Sequence, residues 1–184
     1  MALARVRGAT LEDVSTLAAL HRVTWRAAYS ELLAPGALDQ LDAPYVRQAW
    51  VDAVQGGATV LIATEGDAPV GFVVAGPAPE DDVAAADGTL PTDAEHTILV
   101  STLLVEPRWG RRGHGGRLLA TVTAVLRNVG ATRGIAWVPA KDPASLNFYR
   151  RAGWTPDNTA RTLDAQGHPL RELRLTSPLT LTLT

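Results

Sequence analysis

The chain contains no cysteine, which excludes disulfide bridges, thiolate metal sites and a cysteine nucleophile. Its four histidines (His21, His96, His114, His168) show no His-x-x-x-His spacing, so no metal is expected. No apolar stretch approaches the length of a membrane span, and the first residues lack the long apolar core of a signal peptide. No membrane partner is therefore expected, and a cytoplasmic setting is the default. Basic runs are missing as well, and the net charge is −2, which argues against a nucleic-acid partner. Lysine is nearly absent: Lys141 is the single lysine among 17 basic residues, which reads as codon bias.

What is present is an ordinary globular composition, 46% hydrophobic and 20% charged over 184 residues. That length predicts one domain, over residues 1–176, followed by a C-terminal tail at 177–184. Charge is unevenly spread. Residues 1–90 carry 12 acidic and 5 basic side chains, whereas residues 91–184 carry 7 acidic and 12 basic ones. A basic second half suits an anionic cofactor and an acidic first half suits a cationic acceptor; two solvated faces would give the same count.

The most informative stretch is Leu103-Leu104-Val105-Glu106-Pro107-Arg108-Trp109-Gly110-Arg111-Arg112-Gly113-His114-Gly115-Gly116-Arg117-Leu118-Leu119. A β-branched apolar run from Ile98 to Val105 stops at Pro107. A loop rich in glycine and arginine follows, and Leu118, Leu119, Val122, Val125, Leu126 and Val129 then recur at the spacing of one helix face. The reading is strand, glycine-rich turn, helix. Such a turn offers the unpaired N–H groups and positive dipole end of a helix to an anion, and glycine lets the anion come close. Arg108, Arg111, Arg112 and Arg117 add forked donors suited to phosphate. A tight turn that needs glycine only for its dihedral angles is the alternative. Two familiar phosphate loops do not fit. Gly116-Arg117 stands where a nucleotide-hydrolase loop requires Lys-Ser/Thr, and Leu118 occupies the third glycine position of a dinucleotide fingerprint.

Elsewhere, Ala4 to Gly8 reads as a first strand, and Thr10-x-x-Asp13 reads as a capping box for a helix whose buried face is Leu11, Val14, Leu17, Ala18 and His21. Trp25 and Tyr29 continue that face. Pro44 opens a helix that runs to about Gln55, where Gly56-Gly57 ends it. Thr59–Ala63 and Val70–Ala75 are predicted strands, and Glu95 to Val105 is another. Residues 77–93, with three prolines, acidic residues and an alanine run, read as a mobile surface insertion, with a lid on the acceptor site as the alternative. After the long helix, Gly134–Pro139 forms a strand. Asp142-Pro143 then suits the start of a helix and Gly153 its end. Trp154–Thr162 and Pro169–Thr176 close a hairpin around Asp164-Ala165-Gln166-Gly167. The Thr-Leu alternation after Pro178 could be a loose tail or an edge strand for a partner subunit.

The segment Val105-x-Pro107…Arg111-Arg112-Gly113-His114-Gly115-Gly116-x-Leu118-Leu119 resembles the acetyl-CoA signature of the GCN5-related N-acetyltransferases. Gly110 departs from it, standing at the usual Gln/Arg position where Arg111 would substitute. A second motif of that family is resembled by Val138, Tyr149, Gly153 and Trp154, with Asp142 at the asparagine position and Ser145 at the alanine. The resemblance covers roughly residues 5–176 and implies an α/β (α+β) GNAT-like acyl-CoA N-acyltransferase fold: a mixed, mostly antiparallel twisted sheet of about seven strands flanked by helices. The strands on either side of the long helix would run parallel and splay apart.

It further implies acetyl-CoA as co-substrate, with the pyrophosphate on the backbone N–H groups of Arg111, Arg112, Gly113, His114, Gly115 and Gly116. The pantetheine arm would pair with Leu103, Leu104 and Val105. Asp142 would contact the cofactor through water, or serve only as a helix cap. Trp25 and Tyr29 would border the acceptor pocket or be core aromatics, and Tyr149 would be the acid that meets the leaving thiolate. Leu99 stands where many relatives carry a glutamate base, and Glu95 and His96 are weak substitutes. The expected reaction moves an acetyl group to a primary amine of a small molecule. A protein N-terminus or lysine is the alternative acceptor, and a non-catalytic acyl-CoA-binding module the alternative class. A homodimer is common among relatives.

Overall fold

A computed structural model describes residues 3–31, 33, 35–165 and 167–179. Its centre is a seven-stranded sheet built from β1 (Ala4–Gly8), β2 (Thr59–Glu65), β3 (Ala68–Pro77), β4 (Thr97–Val105), β5 (Arg133–Pro139), β6 (Thr155–Ala165) and β7 (His168–Pro178). The spatial order is β1-β2-β3-β4-β5-β7-β6. Neighbouring strands are antiparallel except β4 and β5, which are parallel. This is the mostly antiparallel, roughly seven-stranded sheet that the sequence resemblance implies.

Helices cover both faces. On one lie α1 (Val14–Tyr29) and α3 (Pro44–Gln55), with the short α2 (Pro35–Asp39) between them in sequence. Val14, Leu17, Leu20 and Trp50 pack there on Val60, Ile62 and Phe72. On the other lie α5 (His114–Asn128) and α6 (Pro143–Arg151), whose Leu118, Leu119, Val122, Leu126 and Leu146 pack on Leu61, Ala63 and Val73. Successive residues of β2 thus feed opposite cores, so the strand reads as an unbroken apolar run.

Two helix faces differ from the sequence reading. Leu11 is exposed in a short 3-10 turn, Leu11–Asp13, and the buried stripe of α1 is Val14, Leu17, Leu20 and Thr24. The Thr10 N–H donates to Asp13 Oδ2 at 2.8 Å, so the cap serves that turn, and the α1 face is rotated from the expected one. On α5, Val125 faces solvent, and Val129, at 78% exposure, lies beyond the last helical turn.

The sheet opens at β4 and β5, the one parallel pair among the described residues. β4 and β5 are in register at Thr97↔Arg133, Ile98↔Gly134 and Leu99↔Ile135, and then part. On its other side β4 pairs with β3, but the register slips between Val74↔Thr102 and Ala75↔Val100, leaving Ser101 as an extra residue. A bulge of this kind bends and twists the strand that carries it. Both features aim residues 100–105 away from β5. Glu95 and His96 are not on β4: they form a 3-10 turn, Ala94–His96, because the strand's pairing begins only at Thr97.

Residues 77–93 are docked, which corrects the mobile-insertion expectation. They include a one-turn helix α4 (Glu80–Val83), with Val83 buried. The buried Arg174 donates to the carbonyls of Asp82 and Ala84, both at 2.8 Å. Arg133 forks onto Asp93 at 2.7 and 2.9 Å. Of its acidic side chains, Asp82 and Asp93 have partners on strands far away in sequence, whereas Glu80, Asp81 and Asp87 are exposed. The expected tail boundary also moves: β7 continues to Pro178, and Leu179 is buried with its N–H bonded to the Thr132 carbonyl at 2.7 Å. Gln166 and residues 180–184, where the hairpin tip and the Thr-Leu alternation were placed, lie outside the described residues.

Candidate active site

Between Val105 and α5 the chain makes a tight descent. A 3-10 turn, Pro107–Trp109, is closed by Gly110 N–H donating to the Pro107 carbonyl at 3.0 Å. Arg111 (φ 62°) and Gly113 (φ 84°) then take left-handed conformations, and α5 starts at His114. Gly113 is the N-cap and has no side chain with which to cap. Among the described residues, the six successive N–H groups of 111–116 have no hydrogen-bond partner. Unpaired donors at the positive end of a helix dipole form an anion cradle.

The side chains of this loop are held out of the way. His114 is buried, with Nε2 2.9 Å from Glu65 Oε2, and Arg112 Nη1 donates to Glu65 Oε1 at 3.0 Å. Burial works to raise the Glu65 carboxyl, but hydrogen bonding by His114 and the Arg112 charge outweigh it and hold it below the usual carboxylate range. Arg112 also stacks 4.9 Å over the Trp109 ring. Arg112 and His114 therefore face the loop with backbone N–H groups rather than side chains. The start of α5 is pressed against α6: a Cβ on Gly115 would stand 3.1 Å from the Phe148 ring.

A groove of about 790 Å³ runs from this cradle along Leu103, Leu104 and Val105 to Asp142, Ser145 and Tyr149. Asp142 is the N-cap of α6: Oδ1 accepts from Ser145 N–H at 3.0 Å and Oδ2 from Ser145 Oγ at 2.7 Å. Tyr29 also donates its hydroxyl to Oδ2, at 3.2 Å. Burial, followed by the Asp142 charge, pushes the Tyr29 phenol up to about 12. Tyr149 is 6% exposed. Burial first and then Tyr29 push its phenol well above the ordinary tyrosine range.

A second cavity of about 120 Å³ lies in the gap between β4 and β5. Trp25, Tyr29 and Leu33 line one side, residues 100–104 and 137–139 the strands, and Leu170 and Glu172 the far end. Tyr29, Leu103, Leu104, Ser145 and Tyr149 border both spaces, so groove and cavity meet at Tyr149. Trp25, which stacks edge-on to Tyr29 at 5.4 Å, borders only the second. Neither Glu95 nor His96 reaches either space. Sequence reasoning missed Glu172 and Trp137. The available signal was alternation in β7, where Leu173 and Leu175 fill the core and put Glu172 on the opposite face.

Among the described residues there is no cluster of acidic, histidine or cysteine side chains able to hold a metal, and no helix is long and apolar enough to cross a membrane. A family model described as the acetyltransferase (GNAT) family matches residues 18–154. The chain is 28% identical over 161 residues to a protein of Mycobacterium tuberculosis named as a probable N-acetyltransferase, covering 86% of this chain and 83% of that one. The fold resembles the PaiA N-acetyltransferase of Thermoplasma acidophilum, crystallised with coenzyme A (TM-score 0.74, 14% identity, covering 96% of this chain and 99% of that one). It also resembles the ribosomal-protein-alanine N-acetyltransferase of Brucella melitensis (TM-score 0.69, 22% identity, covering 95% and 99%).

Proposed function

From the premise that this chain belongs to the GNAT acetyltransferase family, we propose that it moves the acetyl group of acetyl-CoA to a primary amine of a small molecule, with Tyr149 at the reacting centre. The observation that carries the reading is the meeting of an anion-cradling groove and a compact second cavity at one buried tyrosine. The PaiA relative was crystallised with coenzyme A, and the six free N–H groups at 111–116 suit a pyrophosphate. Beyond Leu99 the side of β4 facing β5 has no strand partner, which leaves backbone groups for the amides of a pantetheine arm. Asp142, engaged as a cap, lines the same groove.

The chemistry follows from these positions. The amine nitrogen, entering from the second cavity, attacks the thioester carbonyl carbon; a C–N bond forms and the carbonyl oxygen takes up negative charge. Backbone N–H groups on the side of β4 left without a strand partner beyond Leu99 would donate to that oxygen. As the C–S bond breaks, the sulfur gains a proton and the nitrogen loses one. A thiol ionises near ~8.5 and a free tyrosine near ~10. Because the Tyr149 phenol is raised further, it remains protonated at neutral pH and donates a hydrogen bond to the departing sulfur.

A protein N-terminus is the competing acceptor, favoured by the likeness to the Brucella melitensis enzyme. The small size of the second cavity favours a small molecule. Calorimetric titration with acetyl-CoA, dephospho-CoA and ATP tests the cofactor: micromolar acetyl-CoA binding with little affinity for ATP is expected, and no acetyl-CoA binding overturns it. Thiol release with a panel of primary amines and a panel of N-terminal peptides then tests the acceptor. Turnover with peptides alone would replace the small-molecule reading.

A further inference from the structure

Alternation along β7 sets two charged residues inside the protein. Glu172 is 8% exposed and Arg174 is 5% exposed, on the face opposite the Leu173 and Leu175 core. A charge so placed is costly unless its polar atoms are paired. Arg174 is fully engaged: Nε donates to Asp157 at 2.7 Å, Nη2 to Thr159 at 2.9 Å, and Nη1 to the carbonyls of Asp82 and Ala84. Glu172 is not. Its Oε2 accepts from Arg161 Nε at 2.7 Å, whereas its Oε1 makes no hydrogen bond among the described residues and stays accessible rather than sealed in the core. Arg161 is itself divided, because Nη1 donates to Asp82 Oδ1 at 2.6 Å. Two carboxylates share one guanidinium, and Glu172 borders the acceptor cavity.

Four aromatic side chains stand among the aliphatic and hydroxyl groups of that wall. Trp25, Tyr29, Trp137 and Tyr149 line the same cavity. Asp82 also accepts from the Trp137 indole at 2.8 Å, and Arg161 stacks over that ring at 4.3 Å. The docked 77–93 segment therefore fixes both the indole and the charge behind Glu172.

We propose that Glu172 is the anchor for a positive charge of the acceptor other than the neutral amine that attacks at Tyr149, selecting a compact apolar body that carries a second, ammonium, group, and that Asp82 is a positioning residue that tunes this anchor through Arg161. The proposal rests on the transferase reading above and names the substrate class of its second cavity. A neutral guest filling the cavity would strip water from the free carboxylate oxygen without pairing it. An ammonium satisfies it and meets aromatic faces that attract cations.

The test uses the full chain, with and without bound CoA, and follows tryptophan fluorescence, since Trp25 and Trp137 line the cavity. The probes are 2-phenylethylamine, a cation at pH 7, and the near-isosteric neutral 2-phenylethanol. The native protein is expected to bind the amine at least tenfold more tightly than the alcohol. Glu172→Gln should lose at least tenfold in amine affinity and leave alcohol and CoA affinity unchanged. Asp82→Asn, which gives Glu172 the undivided Arg161 charge, should lose about threefold for the amine alone. Equal loss for both probes in Glu172→Gln, or native protein that fails to prefer the amine, overturns the proposal. Should Glu172→Gln not fold, an unchanged amine affinity in Asp82→Asn overturns it. Absent CoA binding instead counts against the transferase reading, and the CoA-free titration still reports on Glu172.

Discussion

The Tyr29 hydroxyl donates to Asp142 Oδ2 at 3.2 Å, joining the end of α1 to the cap of α6 across 113 positions of sequence. One carboxylate thereby starts the helix that carries Tyr149 and orients the tyrosine beside it. Asp142→Asn keeps its one acceptor oxygen for the cap and presents Nδ2 to Tyr29 and Ser145, whose hydroxyls would turn to accept, and should be nearly neutral in stability. Asp142→Ala removes the cap and should cost about 1 kcal/mol. With the carboxylate gone, burial and then the Glu172 charge still raise Tyr29, so its titration should fall from about 12 toward, but not to, the ordinary value. Ultraviolet titration of the two variants measures this.

Tyr149→Phe retains the buried ring against Phe148 and Trp154 and removes only the hydroxyl. With the proposed role, kcat should fall by about 10²-fold or more while acetyl-CoA affinity stays within a factor of two or so. Because the native phenol is raised, the native enzyme should show no loss of activity from its ionisation below about pH 10. A steady-state pH profile, read beside calorimetry, checks both statements. Unchanged turnover would take Tyr149 out of the chemistry, and acetyl-CoA binding without turnover in either protein would favour a binding module.

His21 makes a different expectation, about stability. Its ring lies edge-on to Trp25, Trp50 and Phe72 at 5.1, 5.7 and 6.0 Å, and neither nitrogen has a hydrogen-bond partner. Burial lowers it to about 4 from an unfolded value near 6.5. Between those values the unfolded chain binds the proton more strongly, so stability is lost as pH falls from about 6.5 to about 4. By pH 4.5 the loss should be on the order of 2 kcal/mol. His21→Phe should lack this component. Denaturant unfolding of both proteins at pH 7.5 and 4.5 gives the difference.

Much of the proposed cofactor side was legible because it is local. The strand, the glycine turn and α5 are consecutive, so composition and spacing carry the cradle, and Asp142-Pro143 announces the start of α6 in two residues. The acceptor side is assembled from distant pieces. Asp82 meets Trp137 and Arg161 across 55 and 79 positions, and no local pattern pairs an acidic insertion with inward-facing charges on β6 and β7. The same distance effect explains the α5 reading. A 3.6-residue period marks Val125 and Val129 as candidates, but only the packed sheet decides which flank of the stripe is covered.

Gly116 separates the cradle from the plain-turn reading. Unlike Gly113 it has no left-handed φ, and a Cβ added there would meet nothing within 4 Å. Alanine in a helical first turn loses less backbone entropy than glycine, so Gly116→Ala should raise stability by about 0.5–1 kcal/mol. The same methyl would project from the N–H row that borders the groove. If those N–H groups receive a pyrophosphate, acetyl-CoA affinity should fall tenfold or more in a protein that melts no earlier than the native one. Thermal unfolding and calorimetry on the same sample give the two readouts. A stabilised variant with undiminished acetyl-CoA affinity would mean that the glycine serves the turn alone, and the pyrophosphate would have to lie elsewhere along the groove.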